Sequence, residues 1–385
     1  MVGKPASAFE EHLSHTCVFE VDAVDVDRFF VSVLEMPVPP RLILVDQPEE
    51  FRAYLSKGRF AGADVRCSAW MSIASLRDLL RAHDIRFLLI DAHRIPDVHI
   101  VLAARAAGSR VLYIQHGMYI PFMKRTLRFF AGKLLKTLRY LYYAFDSGLH
   151  LRSLGLAVDL FRIHVLGAKR DLLRGRRIIF PDSAAVYSNY WRQWHVAHYA
   201  FPPEVLNEMG TPDLRTHRFG PELGPRTVAY CYQTLVEDGR IGWEPMAAFY
   251  RSLKTWSDQH SAHVVVKSHP RGRADLIARL RSDHGFEITS THIPNTSTVI
   301  GHFSSLLAYW GVHGRRVIAV TLPGHPVHES IASWANVVES LDGLELAVLP
   351  PVNQAACVEY FGHSVAIDTV RKNLFDSSPA SSGAG

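Results

Sequence analysis

A short apolar segment that ends in basic and titratable side chains carries the strongest chemical signal in the sequence. Residues 264–266 are all valine, and Lys267, His269 and Arg271 follow them closely. A strand buried on both faces of a parallel sheet is a continuous apolar run, and ligands of open α/β sheets bind beyond the carboxyl ends of the strands. Two cations and an imidazole at such an end can neutralise a phosphate leaving group without a metal ion. We therefore predict a phosphate site here.

A second strand end offers hydroxyl groups. Residues 298–301 form an apolar segment, and Ser304 and Ser305 follow where the next helix should begin. Hydroxyls and backbone N–H groups at the start of a helix bind phosphate well. Serine is also a preferred helix cap, and one serine can fill both roles. We expect Ser304 and Ser305 to complete the phosphate site.

A histidine follows a strand of the first half of the chain. Gln115, His116 and Gly117 come directly after the apolar segment 110–114. Histidine titrates near neutral pH, as a general base must, and Gly117 permits a positive φ. A structural histidine at a turn is the other interpretation. We expect His116 to deprotonate or orient the hydroxyl group of a second substrate, the acceptor.

Acidic residues occupy two further strand ends. Glu237 and Asp238 follow Gln233 after the segment 227–232, and Glu329 follows the segment 316–321. Glu237 and Asp238 form either an exposed turn or a carboxylate site that acts as base or contacts the donor sugar. Gln233 and Glu329 are candidate ligand-binding residues, and Glu329 is a candidate to hold ribose hydroxyls.

The elements that must position these residues alternate between strand and helix, which is typical of βαβ units with parallel sheets. Strands are predicted at 41–46, 85–91, 110–114, 177–180, 184–188, 227–232, 262–267, 298–301 and 316–321, and helices at 75–83, 99–107, 245–260, 273–284, 304–314 and 354–360. The polar, Gly- and Pro-rich segment 215–225 is a plausible linker. We expect two Rossmann-like domains facing a cleft, an acceptor domain at 1–215 and a donor domain at 222–375, with a disordered tail at 376–385.

A basic helical insertion at about 124–169 interrupts the first domain. Apolar and aromatic residues recur at helical spacing between five cations, namely Arg125, Arg128, Lys133, Lys136 and Arg139. Such a helix is a candidate for lying on an anionic membrane. The alternative is a helix packed on its own domain with a solvated basic face, since a second apolar helix follows and is able to cover the first.

Composition excludes several classes of protein. The 385 residues are 48% hydrophobic and 21% charged, which is ordinary for a globular protein. A net charge of +5 with no nucleic-acid motif argues against a nucleic-acid partner. Four scattered cysteines argue against a disulfide framework and suit the cytoplasm. There is no signal peptide pattern, no membrane-spanning segment, no GxGxxG and no P-loop. Nothing calls for a cofactor or a metal ion.

The order of these motifs resembles the GT-B glycosyltransferases of bacterial surface polysaccharides. The motifs are Gln115-His116-Gly117, Gly210-Thr211-Pro212-Asp213, Lys267-Ser268-His269-Pro270 and Ser304-Ser305. The segment from Tyr232 to Arg271 is similar in layout to the capsule Kdo transferases, which are grouped with bacterial sialyl- and polysialyltransferases. His116-Gly117 looks like the His-Gly pair that provides the general base in the CDP-glycerol glycerophosphotransferases. Unlike in the sialyltransferases, the acidic motif lies in the second domain, which favours His116 as base.

The resemblance implies an inverting, metal-independent glycosyltransferase for capsule or lipopolysaccharide synthesis. Its donor would be a nucleotide-activated sugar, expected to be CMP-linked and of sialic acid or Kdo type. Its acceptor would be a glycan or lipid-linked glycan, reached from the cytoplasm, with peripheral contact at the inner face of the membrane. The alternatives are a CDP-glycerol-type polyol-phosphate transferase, a nucleotide-sugar epimerase and a non-catalytic degenerate transferase.

Overall fold

The chain forms two compact units, each built on a parallel β-sheet. The computed structural model describes residues 8–20, 34–47, 63–115, 117, 134–164 and 170–376. Unit 1 contains the described residues up to His116, those from 134 to Gly210, and those from Val365 onward. Unit 2 contains Gly117 and Thr211–Ser364.

Unit 1 holds a seven-stranded sheet in which each neighbouring pair of strands is parallel. Its strands are β1 Thr16–Glu20, β2 Leu42–Val45, β3 Asp64–Cys67, β4 Phe87–Ile90, β5 Arg110–Ile114, β6 Ser183–Val186 and β7 Leu206–Glu208. The α-helices that precede unit 2 along the chain are α1 Ala8–Leu13, α2 Ile73–Ala82, α3 Ile95–Ala107, α4 Leu134–His150, α5 Leu154–His164 and α6 Asn189–Tyr199. Every residue of β2, β4 and β6 is buried, as expected for central strands covered on both faces. The strand order is β3-β2-β1-β4-β5-β6-β7.

Unit 2 holds a six-stranded parallel sheet and a small two-stranded sheet. Its strands are β8 Phe219–Glu222, β9 Thr227–Cys231, β10 His263–Lys267, β11 Glu287–Thr289, β12 Ile293–Asn295, β13 Thr298–Gly301, β14 Arg316–Val320 and β15 Asn336–Val338, and its helices are α7 Asp213–Thr216, α8 Trp243–Gln259, α9 Ala274–His284, α10 Leu307–Val312, α11 Glu329–Ala332 and α12 Gln354–Phe361. The larger sheet has the order β11-β10-β9-β13-β14-β15, and β8 pairs with β12.

Both large sheets are doubly wound. Numbered along the chain, each begins with the order 3-2-1-4-5-6 of dinucleotide-binding folds. The order reverses between β1 and β4 in unit 1, and between β9 and β13 in unit 2. The predicted α/β class with two Rossmann-like units is therefore confirmed.

The last helix, α13 Ile367–Phe375, belongs to unit 1, whereas the sequence placed residues up to 375 in the second domain. Ser183 donates a hydrogen bond from Oγ to the carbonyl oxygen of Asn373 at 2.8 Å. The ring of Phe375 lies 5.1 Å from that of Phe87 and stacks on His12 at 5.4 Å. Apart from Gly117, the described chain changes unit at Gly210–Thr211 and returns at Val365.

Two segments predicted from sequence differ from the structure. Residues 177–180, predicted as a strand, contain a 3₁₀ helix at Arg177–Ile179, where Phe180 N donates to Arg177 O at 3.1 Å. Arg139, predicted on the basic face of the insertion, is only 7% exposed and lies 3.2 Å from the buried Asp46 carboxylate. It faces the core because it compensates that charge. Residues 124–133 and 165–169 of the insertion lie outside the described residues.

Candidate functional site

A hydrogen bond joins the two strand ends at the point in unit 2 where the strand order reverses. Gln233 follows β9 and Phe303 follows β13. The side-chain Oε1 of Gln233 accepts a hydrogen bond from the backbone N–H of Phe303 at 3.0 Å. Ligands of such folds bind beyond the carboxyl ends of the strands at this point. The structure therefore brings Gln233 together with the segment that carries Ser304 and Ser305.

Ser304 and Ser305 lie in the turn before α10 and not at its first residue. Both are half-buried, and α10 begins at Leu307. Ser304 Oγ accepts from Leu306 N at 3.2 Å, while Ser305 Oγ donates to the Asp213 carboxylate at 3.4 Å. The predicted helix start at residue 304 was thus three residues early. Ser304 stabilises the turn, which is compatible with a second role toward a ligand.

A buried histidine that the sequence did not single out fixes the same strand end. His302 is fully buried, with Nδ1 at 2.9 Å from Val320 O and Nε2 at 3.2 Å from Tyr230 Oη. Because a carbonyl only accepts, Nδ1 carries the proton and Nε2 accepts from Tyr230. Burial lowers the pKa of His302 to about 4. The neutral ring joins the ends of β9, β13 and β14.

The basic residues at the carboxyl end of β10 have different partners. Lys267 is 6% exposed and donates from Nζ to the carbonyl oxygen of Ser290 at 2.6 Å. Ser290 follows β11, on the side of β10 away from β9 and β13. His269 is half-buried, and its Nδ1 accepts from Arg271 N at 3.1 Å. A neutral imidazole that accepts at Nδ1 carries its proton on Nε2, so His269 is a donor at Nε2.

The acidic pair after β9 supports the loop after β10. Glu237 Oε1 accepts from Tyr232 Oη at 2.8 Å and from Arg273 N at 3.0 Å. Asp238 accepts from Thr234 Oγ1 at 3.1 Å. The carboxylate of Asp238 also lies 3.8 Å from the Arg271 guanidinium. Both acids therefore have structural partners within unit 2.

Part of the acidic pair remains unsatisfied. Glu237 Oε2 is buried and makes no hydrogen bond. A buried carboxylate oxygen that lacks a hydrogen-bond donor costs free energy. Glu237 Oε2 can therefore accept one further hydrogen bond. Burial raises the pKa of its partner Tyr232, which keeps that phenol protonated as a donor.

Glu329 opens α11, after β14, and is exposed. His328 precedes it and caps the helix, with Nδ1 accepting from Ser330 N at 3.2 Å. Nearby, His325 stacks on Phe303 with ring centroids 6.0 Å apart, and its Nε2 donates to Arg240 O at 2.9 Å. Glu329 therefore follows β14, the strand next to β13. Its predicted contact with ribose hydroxyls stays a prediction.

Unit 1 repeats the glutamine bond seen in unit 2. Gln115 follows β5, and its Oε1 accepts from Tyr187 N, after β6, at 3.0 Å. Gly117 has a φ of +66°, the left-handed conformation that glycine adopts without strain. His116 lies outside the described residues, so its role as base stays a prediction.

No metal site is evident in the part of the chain that the structure describes, because no three His, Cys, Asp or Glu side chains cluster there. Cys17, Cys67, Cys231 and Cys357 form no disulfide bond.

Comparisons with known proteins return structures but no family. No family model matches the chain, and no curated protein matches it. One similar structure is the UDP-GlcNAc 2-epimerase from Methanocaldococcus jannaschii, with 6% identity, a TM-score of 0.48, and coverage of 94% of this chain and 99% of that one. Another is the UDP-GlcNAc 2-epimerase from Neisseria meningitidis, with 10% identity, a TM-score of 0.40, and coverage of 79% and 81%. The wall teichoic acid polymerase TagF shows 11% identity, a TM-score of 0.39, and coverage of 95% and 84%. Likeness at this level says nothing about the activity of this chain.

Proposed function

We propose that unit 2 binds the phosphate of a nucleotide-activated sugar and that the protein is an inverting glycosyltransferase of bacterial surface polysaccharide synthesis. The Gln233–Phe303 hydrogen bond carries the proposal. It joins two loops where the strand order reverses, and one of them presents the Ser304 hydroxyl. A CMP-linked sugar is the first candidate for the donor, as the motif resemblance implies.

Leaving-group stabilisation falls to the loops after β10 and β13. His269 donates from Nε2 and Arg271 supplies positive charge as negative charge develops on the departing phosphate. Ser304 adds a hydroxyl donor from the turn before α10. Ser305 is the weaker ligand, because its hydroxyl lies on the Asp213 carboxylate. Lys267 contributes charge while its ammonium ties β10 to the loop after β11.

The base is assigned to His116 in preference to Glu237 or Asp238. Glu237 already accepts from Tyr232 and Arg273, and Asp238 from Thr234, which favours a supporting role for both. Glu237→Gln distinguishes the two roles, because an amide oxygen still accepts both bonds but cannot take a proton. Loss of transfer with an unchanged melting temperature would make Glu237 the base.

The first experiment is a thermal-shift screen of the full chain against CMP, CDP, UDP and GDP, with and without magnesium. A ligand that binds the folded state raises the melting temperature by mass action. Stabilisation by CMP or CDP without metal supports the proposal, and the nucleotide preferred separates sugar transfer from polyol-phosphate transfer. Absence of any response would refute the phosphate site.

Turnover then tests the catalytic step. His269→Ala should lower transfer by about 100-fold or more, the range typical of a lost transition-state donor. His263→Ala is the matched control, because His263 lies at the opposite end of β10 and contacts Glu287 at 3.0 Å. Conversion of donor without acceptor would identify an epimerase. Nucleotide binding without turnover would identify a non-catalytic protein.

A further inference from the structure

The helices α4 and α5 of unit 1 expose a continuous apolar surface. On α4, every third or fourth residue along one side is apolar and between 39% and 59% exposed: Leu134, Leu138, Leu141, Phe145 and Leu149. Residues at this spacing form a single stripe along a helix. The opposite side of α4 packs inward through Tyr143 and Ser147, which are buried. The stripe is therefore a surface feature and not part of the core.

The helix α5 extends this surface and does not cover it. Leu154 and Val158 are 63% and 55% exposed, one turn apart, while Leu156, Leu160 and Ile163 are buried. Of the 13 large hydrophobic residues exposed among the described residues, eight lie on these two helices. Scattered apolar residues are normal on a surface, but a contiguous patch marks an interaction site.

No acidic side chain is exposed on this surface. The exposed positions of residues 134–164 outside the apolar residues named above are Leu135, His150, Arg152, Gly155 and Arg162. The charged residues among them are therefore basic.

Both acids of the hairpin turn inward and are paired. Asp146 Oδ2 accepts from Ile73 N at 2.8 Å and lies 2.9 Å from His99 Nε2. Asp159 accepts from Arg176 at 2.7 Å. An apolar stripe with basic residues and no exposed acid is complementary to an anionic lipid surface.

Aromatic rings lie beside the apolar stripe of α4. No helix in the described ranges is long and apolar enough to cross a membrane, and α4 has 17 residues. Trp70 is 48% exposed, and its ring lies 5.8 Å from that of Tyr142 on α4. Aromatic rings of this kind prefer the level of the lipid headgroups.

We propose that the surface formed by α4 and α5 binds the face of an anionic membrane. The apolar stripe enters the headgroup region, while Arg152 and Arg162 contact anionic headgroups. The inference does not rest on the donor chemistry proposed above, since it concerns helices of unit 1 only.

Cosedimentation of the full chain with vesicles tests this surface. Wild-type protein should bind vesicles of equal parts phosphatidylglycerol and phosphatidylcholine more strongly than vesicles of phosphatidylcholine alone. The double variant Leu138→Glu, Phe145→Glu should lower the partition coefficient by about 100-fold, since each apolar side chain contributes about tenfold. Its melting temperature should not change, because both side chains are exposed. Val348→Glu, at a 78% exposed position of unit 2, is the matched control.

The arginines test the electrostatic part. Arg152→Gln and Arg162→Gln should each weaken binding to anionic vesicles about fivefold, the effect of one basic residue near such a surface. Neither should change binding to neutral vesicles. Failure of wild type to bind anionic vesicles, or equal binding by the double variant, would overturn the proposal. Self-association of wild type that the double variant abolishes, without vesicle binding, would show that a second copy covers the surface.

Discussion

His302 should make the stability of unit 2 depend on pH. Its imidazole is fully buried and neutral, and its pKa is lowered to about 4 by burial. In the unfolded chain the same group titrates near the ordinary value of about 6.5. As the pH falls through that value the unfolded state binds a proton and the folded state does not. The contribution of the neutral His302 to the stability of unit 2 is therefore fully present above about pH 6.5. It is lost as the pH falls from that value toward 4.

The size of the effect follows from the two pKa values. At about 1.4 kcal/mol per pKa unit, the interval corresponds to about 3 kcal/mol. His302→Gln removes the titration and keeps one amide to donate to Val320 O or accept from Tyr230. We expect the variant to be about 1 kcal/mol less stable at pH 7 because one bond is imperfect. It should nevertheless lose about 3 kcal/mol less than wild type between pH 7 and pH 4.

The assay is urea unfolding with pulsed hydrogen exchange, in which peptides containing β13 report unit 2 separately from unit 1. His195→Gln is the matched control. His195 is buried in unit 1 and its pKa is also lowered to about 4 by burial, so this change should leave the unit 2 transition unaltered. Equal pH dependence of wild type and His302→Gln would refute the reasoning.

Two further predictions concern hydrogen bonds and charges described above. Gln233→Ala leaves the N–H of Phe303, a 3% exposed residue, without its acceptor, so unit 2 should lose about 1 to 3 kcal/mol and nucleotide affinity measured by calorimetry should fall. Gln115→Ala removes the equivalent bond of unit 1 and should leave that affinity unchanged, so equal losses would contradict the proposed site. Arg139→Leu removes the cation that pairs with the Asp46 carboxylate. Thermal unfolding should show unit 1 destabilised by about 3 kcal/mol. The pKa of Asp46 should also rise beyond the value of about 6 that burial already gives it. Arg162→Leu, an exposed change on the same hairpin, should cost less than about 0.5 kcal/mol, and an equal loss would argue against the buried pair.

Strands with continuous apolar sequence could be predicted from the chain alone. The expected strands at 41–46 and 85–91 are β2 and β4, because buried parallel strands must be apolar on both faces. The strands β3, β11 and β15 were not predicted. Each is three or four residues long and lies at or near a sheet edge. Such strands exist because a neighbour supplies hydrogen bonds, and a local pattern does not contain that information.

The candidate site was predictable to the same extent. The rule that ligands bind at strand ends was sufficient to place Gln233 and the two serines at neighbouring strand ends. The direction of the Lys267 side chain was not predictable, because its acceptor is a carbonyl beyond β11. His302 was missed for a related reason, since its partners lie on β9 and β14 and no spacing in the sequence relates them.

The return of the chain to unit 1 at α13 has a consequence for synthesis on the ribosome. Among the described residues, unit 2 consists of Gly117 and the continuous segment 211–364, so nearly all of this unit is available for folding once that segment has emerged. Unit 1 emerges earlier but lacks α13, against which His12 and Phe87 pack. The side chains of His12 and Phe87 stay without this partner until residues 367–375 are made. Unit 1 is therefore completed only after residues 211–364 have emerged, and a chain truncated before residue 365 lacks α13 but retains that segment of unit 2.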